Sequence, residues 1–147
     1  RGDTRAGTMG SILAKRLQVK GAAGIVTDGA YRDSPAIISS GLPSFAAGMN
    51  AHTNKTIHFP SEIQVPVACG EVAVLPGDII VGDSEGVVVV PSKLAQETAK
   101  RAIEMERKEE FIYQKISSGS SIVGIYPPDE KTLQEYENWK TSNLRSE

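Results

Sequence analysis

Residues 65–90 alternate short apolar runs with turn-forming glycines, prolines and acidic residues, which restricts this segment to a series of short strands. The run Val87–Val90 is apolar at every position, so it predicts a central strand that is covered on both faces. The predicted strands are Val65–Cys69, Val72–Leu75, Asp78–Val81 and Val87–Val90.

The residues before this segment follow a helix–strand–helix–strand order. Apolar residues three and four apart predict a helix over Thr8–Lys20, ended by Gly21. Ser34-Pro35 is typical of a helix start. The remaining predictions are a strand at Ala22–Thr27, a turn at Asp28-Gly29, a helix at Ser34–Gly41, a strand at Pro43–Met49 and a polar loop at 50–61.

The C-terminal part is predicted to be helical. A long helix is predicted from Pro91 to about Ser117, followed by a second helix over Asp129–Lys140 with Leu133, Tyr136 and Trp139 on one stripe. The element order predicts one α/β domain over residues 1–147, with a mixed sheet, flanking helices and a long C-terminal helical region. Because the chain opens at Arg1 in charged sequence without Met, we expect a segment to precede it.

Composition excludes several classes of protein. Sixteen basic and eighteen acidic residues give a net charge of −2, which gives no reason to expect nucleic acid as a direct partner. One cysteine and two histidines disfavour a disulfide framework and a zinc cage. No apolar run approaches the ~20 residues of a membrane span, so no membrane partner is expected. No signal peptide is recognisable, and we expect a cytoplasmic location.

The most informative segment for function is residues 27–35, which place an arginine and two aspartates between a predicted strand and a helix. The Arg32 guanidinium can hold a carboxylate or a developing oxyanion, and the neighbouring carboxylate can hold a hard divalent cation. The structural alternative is a turn in which Asp33 or Ser34 caps the helix and Arg32 pairs with Asp28. Spacing alone leaves both interpretations open.

Other clusters of acidic residues have simpler interpretations. The acids of residues 76–87 fall in predicted turns, where carboxylates are usually solvated. The acids of residues 104–110 are typical of a solvated helix face. Cys69 is predicted to be a small core residue.

Several ordered motifs together resemble the RraA-like family, which unites the regulator of ribonuclease activity A with 4-hydroxy-4-methyl-2-oxoglutarate aldolases. The resemblance extends through nearly the whole chain. The motifs are Gly10-x-Ile12-Leu13, Gly24-x-x-x-Asp28-Gly29-x-x-Arg32-Asp33, Gly41-Leu42-Pro43-x-Phe45, Pro66-Val67-x-Cys69-Gly70 and Pro76-Gly77-Asp78-x-x-Val81-Gly82-Asp83-x-x-Gly86 running into Val87–Val90 and Pro91.

The resemblance implies a swivelling β/β/α-type domain that assembles into homotrimers or hexamers, with sites between subunits. It implies that Arg32 contacts the pyruvyl group and stabilises its enolate, and that Asp33 anchors Mg²⁺ or Mn²⁺. It also implies that backbone amides of the Gly10, Ser11, Ile12 and Leu13 stretch bind the substrate carboxylate. A glutamate from a neighbouring subunit is expected to assist, and Glu106 and Glu109 are the candidates.

The function implied is that of a metal-dependent class II pyruvate aldolase. Its substrate would be a 4-hydroxy-2-oxo acid such as 4-hydroxy-4-methyl-2-oxoglutarate, and oxaloacetate decarboxylase activity would accompany it. Ser11 departs from the pattern, because aldolase members usually have an acidic residue there that supports the metal site. The alternative is a non-catalytic regulator that binds a ribonuclease or an RNA helicase. An enzyme of the same enolate type with another sugar-derived oxo acid as substrate is a third possibility.

Overall fold

The computed structural model describes residues 2–143, which fall into two compact units, 2–92 and 93–143. The predicted α/β class is confirmed, because strands and helices alternate in the first unit and a long helix dominates the second.

A three-stranded parallel sheet forms the centre of the first unit, in the order β1-β2-β3. One helix follows each of the first two strands and provides the crossover connection that parallel strands require. The elements are β1 (Gly7–Met9), α1 (Ser11–Val19), β2 (Ile25–Tyr31), α2 (Ser34–Ser39) and β3 (Ser44–Met49).

The structure corrects two boundaries in this region. Thr8 belongs to β1, not to a helix, and α1 begins only at Ser11. The predicted turn at Asp28-Gly29 is wrong, because β2 continues to Tyr31. A Cβ on Gly29 would lie 3.0 Å from Thr8 Cγ2 and 3.1 Å from Asp3 O. Glycine is therefore present because another part of the chain approaches the strand closely, and not because the backbone turns.

The four strands predicted after residue 65 form two antiparallel hairpins. Within the described part of the chain, the valine strand pairs with one neighbour only, so the prediction of a central strand is wrong. Parallel and antiparallel pairs therefore occur in separate sheets. The hairpins are β4 (Val67–Cys69) with β5 (Val72–Val74), and β6 (Ile79–Gly82) with β7 (Val87–Val90).

Hydrogen bonds explain two of the hairpin acids. Asp78 accepts from the backbone N–H groups of Leu75 and Ser92, which ties the start of β6 to the end of β7. Asp83 accepts from the N–H groups of Glu85 and Gly86 and closes the turn between these strands. Both carboxylates have structural roles, as predicted for acids in turns.

The core of the first unit lies between the parallel sheet and its helices. Ala14 of α1, Tyr31 of β2 and Ile37 of α2 are buried together, with Met9 and Ile25 packed against them. Burial raises the pKa of Tyr31 to about 12, so its phenol stays protonated at neutral pH.

The second unit contains α3 (Ala95–Ser117) and α4 (Glu130–Asn143), the latter extending beyond the predicted end at Lys140. An apolar cluster joins the helices, and Glu104 accepts hydrogen bonds from Tyr136 Oη at 3.0 Å and Lys140 Nζ at 2.7 Å. The buried members of the cluster are Phe111, Ile112, Ile125 and Tyr136.

Over residues 2–143, no helix combines the length and the apolar character that crossing a bilayer would need.

Gly82 gives a test of how β6 packs against the parallel sheet. A Cβ there would lie 2.7–3.2 Å from three ring atoms of Phe45 on β3, whereas a Cβ on Gly86 would meet nothing within 4 Å. We expect Gly82→Ala to lower the free energy of unfolding by about 1–3 kcal/mol through overpacking. Gly86→Ala is the matched control, and chemical denaturation measures both. Equal stability of the two variants would contradict this packing.

Candidate functional site

Arg32 and Asp33 lie at the carboxyl end of β2, between this strand and α2. The backbone N–H of Arg32 donates to Met9 O at 3.0 Å, so the arginine is held against the end of β1. Asp33 follows in the left-handed conformation, with φ 56° and ψ 31°. Aspartate adopts this conformation more readily than most residues with a side chain. The turn therefore directs two charged side chains to one edge of the sheet.

The carboxylate of Asp33 does not cap its own helix. Asp33 occupies the N-cap position of α2 without a side-chain cap hydrogen bond. Instead, Oδ2 accepts from the backbone N–H and the Oγ hydroxyl of Ser11, each at 3.2 Å. Gly10, the N-cap residue of α1, has no side chain to offer, so Asp33 places a negative charge at the start of α1.

Arg32 pairs with Asp33 and not with Asp28. Arg32 Nε lies 3.8 Å from Asp33 Oδ2, and the two side chains are 41% and 45% exposed. Ion pairs of this exposure stabilise a fold by only about 0–1 kcal/mol, so this pair contributes little to the stability of the protein. Asp28 is engaged elsewhere, because backbone N–H groups of Gly2 and Gly70 lower the pKa of its carboxyl.

A small cavity of about 110 Å³ opens beside Arg32. The first turn of α1 forms one wall, and its amide groups precede the first intrahelical hydrogen bond, from Ala14 N to Gly10 O. Such groups are the free donors of a helix N-terminus. Because Ser11 N–H donates to Asp33, those of Ile12 and Leu13 are the donors left for an anion. The lining residues are Gly7, Thr8, Met9, Gly10, Ile12, Leu13, Arg32, Thr53, Asn54 and Lys55.

Gly10 is required for the close approach of these groups. A Cβ at this position would lie 2.7 Å from both Arg32 Nε and Asp33 Oδ2. Since real Cβ atoms do not come so near, any larger residue would displace the charged pair.

Six of the predicted site residues thus lie together in the first unit. These are Gly10, Ser11, Ile12, Leu13, Arg32 and Asp33. Glu106 and Glu109 lie exposed on α3 in the second unit, and their contribution to a neighbouring subunit stays a prediction.

Another wall of the cavity is formed by Thr53, Asn54 and Lys55. The sequence points to loops such as Ala51–Glu62 as the source of substrate specificity, but it does not identify these three residues. Gly7 N donates to His52 O at 3.0 Å, and Asn54 Nδ2 donates to Thr8 O at 2.8 Å. These bonds join residues more than forty positions apart, and no local pattern signals them.

The residues present fit a hard divalent cation of the Mg²⁺ type. Such a cation keeps several waters and needs only one or two protein carboxylates together with oxygens of a substrate. Asp33 supplies one carboxylate, and no described residue donates a hydrogen bond to its Oδ1. Among residues 2–143, no three His, Cys, Asp or Glu side chains are grouped to form a cage made of protein ligands alone.

A larger groove of about 1370 Å³ lies between the parallel sheet and the hairpins. Its lining is mostly apolar and includes neither Arg32 nor Asp33. The small cavity is therefore the one associated with the predicted chemistry.

Comparison with known proteins agrees with the motifs at this site. The family model described as "RraA-like: Aldolase/RraA" matches residues 1–89, more than half of the chain and all of the residues around the cavity. The chain belongs to the RraA-like family.

The relatives include proteins named as enzymes and as inhibitors. A Halalkalibacterium halodurans protein, provisionally named a 4-hydroxy-4-methyl-2-oxoglutarate aldolase, is 31% identical over 126 residues, covering 86% of this chain and 60% of that protein. Streptomyces coelicolor RraAS2, described as an unusual member of the RNase ES inhibitor RraA protein family, is 40% identical with a TM-score of 0.73. That match covers 78% of this chain and 58% of the other.

A further solved structure, an uncharacterized protein from Pseudomonas syringae pv. tomato, is 33% identical with a TM-score of 0.81. The match covers 85% of this chain and 62% of that one. The chain thus spans about 60% of the length of each of these three relatives.

Gly10→Ala tests the packing of the site directly. The added methyl group is expected to push Asp33 Oδ2 away from Ser11 N–H, because the two groups cannot share the space. Loss of a hydrogen bond to a charged acceptor corresponds to about 1.5–3 kcal/mol, so we expect hydrogen exchange of the Ser11 amide to accelerate at least about tenfold. Gly86→Ala is the control, since it should leave this amide unchanged. Unaltered exchange in Gly10→Ala would contradict the described contact.

Proposed function

We propose that this chain forms the catalytic part of a divalent-metal-dependent lyase that cleaves 4-hydroxy-2-oxo acids to pyruvate. 4-Hydroxy-4-methyl-2-oxoglutarate is the proposed substrate, and decarboxylation of oxaloacetate is the proposed side reaction. The observation that supports this most is the position of the Asp33 carboxylate. It does not cap its own helix and lies beside Arg32, which lines a cavity together with the first turn of α1.

The proposed reaction breaks the bond between C3 and C4 of the substrate. The electron pair of this bond passes to C3 and the 2-oxo group, which gives the enolate of pyruvate. The C4 hydroxyl loses its proton as C4 becomes a carbonyl carbon. Loss of CO₂ from oxaloacetate leaves the same enolate, so one arrangement of charges serves both reactions.

Asp33 would hold the cation through its carboxylate, oriented by the hydrogen bonds from Ser11. Mg²⁺ or Mn²⁺, when bound there, would act as a Lewis acid that stabilises the negative charge of the enolate.

Arg32 would stabilise the negative charge that develops on the pyruvyl oxygens. The backbone of Arg32 is held at the end of β1 by its hydrogen bond to Met9, and its Nε lies 3.8 Å from Asp33 Oδ2, which places the guanidinium at the cavity before reaction. The free N–H groups of Ile12 and Leu13 would bind the substrate carboxylate at the positive end of α1.

Glu106 or Glu109 of a neighbouring subunit in a homotrimer or hexamer would accept the proton of the C4 hydroxyl and return a proton to C3 of the enolate, which gives pyruvate. Both side chains are exposed on α3, where another chain could meet them. This assignment rests on the family resemblance and is part of the proposal.

Regulation of a ribonuclease or an RNA helicase is the second candidate function. Two observations favour it: the 40% identity to the Streptomyces coelicolor protein and the uncharged Ser11 beside the proposed metal ligand.

A coupled assay of pyruvate release from oxaloacetate and from 4-hydroxy-4-methyl-2-oxoglutarate, with and without Mg²⁺, distinguishes the lyase from the regulator. A metal-dependent rate supports the lyase. No such rate from folded, assembled protein would favour the regulator.

Asp33→Asn tests the metal ligand. Asparagine also tolerates the left-handed conformation, so the substitution removes the charge with little change in the backbone. We expect Mg²⁺-dependent turnover to fall at least about tenfold at wild-type metal concentrations. Glu85→Gln, which removes a carboxylate in a hairpin turn, is the control. Full activity of Asp33→Asn would exclude Asp33 as the ligand.

Arg32→Lys tests the guanidinium. Lysine keeps one positive charge but loses the planar arrangement of donors. We expect kcat to fall at least about tenfold, which corresponds to ~1.4 kcal/mol of transition-state stabilisation. Arg5→Lys serves as the control, because Arg5 pairs with Asp3 and does not line the cavity. An unchanged kcat in Arg32→Lys would make Arg32 a structural residue of the turn.

Ser11→Asp tests the departure from the aldolase pattern. The Ser11 hydroxyl lies 3.2 Å from Asp33 Oδ2, so a carboxylate at position 11 would add negative charge beside the proposed cation. We expect Mg²⁺ to bind at least about tenfold more tightly and oxaloacetate decarboxylation to increase. Ser11→Asn has a similar size without the charge and is the matched control in calorimetric titrations. Equal or weaker Mg²⁺ binding by Ser11→Asp would overturn the prediction.

A further inference from the structure

The cavity beside Arg32 is also lined by a second positively charged side chain, that of Lys55, which has no role in the proposed reaction. Of the described residues that line it, only Arg32 and Lys55 are charged. Lys55 takes part in no ion pair within residues 2–143, so its charge is not neutralised by the described chain. A small cavity with two cationic walls favours a ligand with more than one negative group.

The fold holds Lys55 in this place. It lies in a short 3₁₀ helix, Asn54–Thr56, whose first residue donates from Nδ2 to Thr8 O at 2.8 Å. Immediately before it, Thr53 forms a parallel bridge with Gly7 of β1. Since β1 also accepts a hydrogen bond from the backbone N–H of Arg32, one short strand positions both Arg32 and the segment that carries Lys55.

We infer that Lys55 determines specificity by binding an anionic group on the distal half of the substrate. Under the proposed function, on which this inference rests, the pyruvyl half of the substrate is bound by Arg32, Asp33 and the first turn of α1. Lys55 comes from a different segment and is left to meet the group attached at C4. A flexible ammonium suits this role, because it can follow a carboxylate whose position varies between substrates.

The inference concerns substrate choice and not the enolate chemistry itself. A carboxylate at C4 would gain an ion pair with Lys55 at the cavity, whereas a methyl group would gain no such partner. Removing the charge of Lys55 should therefore weaken the binding of dicarboxylates selectively. The pyruvyl contacts should remain.

Binding of two unreactive analogues tests this without requiring turnover. 2-Oxoglutarate and 2-oxopentanoate share the 2-oxo acid group, but 2-oxoglutarate carries a carboxylate on C4 where 2-oxopentanoate carries a methyl group. Calorimetric titration of the full chain in Mg²⁺ should show at least about tenfold tighter binding of 2-oxoglutarate, or ~1.4 kcal/mol. Lys55→Met should abolish this preference, Lys55→Arg should keep most of it, and Lys20→Met, at the far end of α1, should leave it unchanged.

A parallel measurement separates this inference from the proposed function. Exchange of the pyruvate methyl protons with D₂O in the presence of Mg²⁺ reports enolate formation and should proceed in Lys55→Met within about twofold of the wild-type rate. Selective binding without any exchange in the wild type would support the role of Lys55 and overturn the lyase. Equal binding of the two analogues by the wild type, no binding of either, or a preference that survives Lys55→Met would overturn the role of Lys55.

Discussion

The parallel pairing of β1 with β2 is the constraint on which the site depends. β1 has three residues, yet it receives the backbone N–H of Arg32, precedes Gly10 at the start of α1, and accepts the side-chain amide of Asn54. Three segments that are distant in the sequence therefore converge at one strand end. Parallel strands place their carboxyl ends at the same edge, where α/β proteins generally form ligand sites.

Asp33 combines two roles that compete for the same carboxylate. It supplies a negative charge to a helix whose own N-cap residue is glycine, and partners of this kind stabilise a helix by about 0.3–1 kcal/mol. The same oxygen atom lies near Arg32, and under the proposed function the carboxylate would also hold a cation. Because Ser11 and Arg32 both hold Oδ2, the other carboxylate oxygen is the one left for a metal ion.

The sequence was sufficient to predict much of the fold and part of the site. Apolar periodicity identified α1, α3 and the hairpin strands, because these patterns are local. Arg32 and Asp33 were recognisable as candidates because they follow a strand directly. β1 was missed, since three residues are too few to show a strand period. The course of β2 through Gly29 and the position of Lys55 both depend on contacts with distant residues, which no local pattern contains.

The left-handed backbone of Asp33 has an evolutionary consequence. Aspartate and asparagine are among the few residues with a side chain that accept this conformation at low cost, and they have nearly the same shape. A single exchange between them alters the charge of the site while the turn, the strand pairing and the outer surface persist. Under the proposed function, a lineage with this architecture would lose or regain metal binding at one position and keep its other surfaces, which suits a family whose members bear the names of both enzymes and inhibitors.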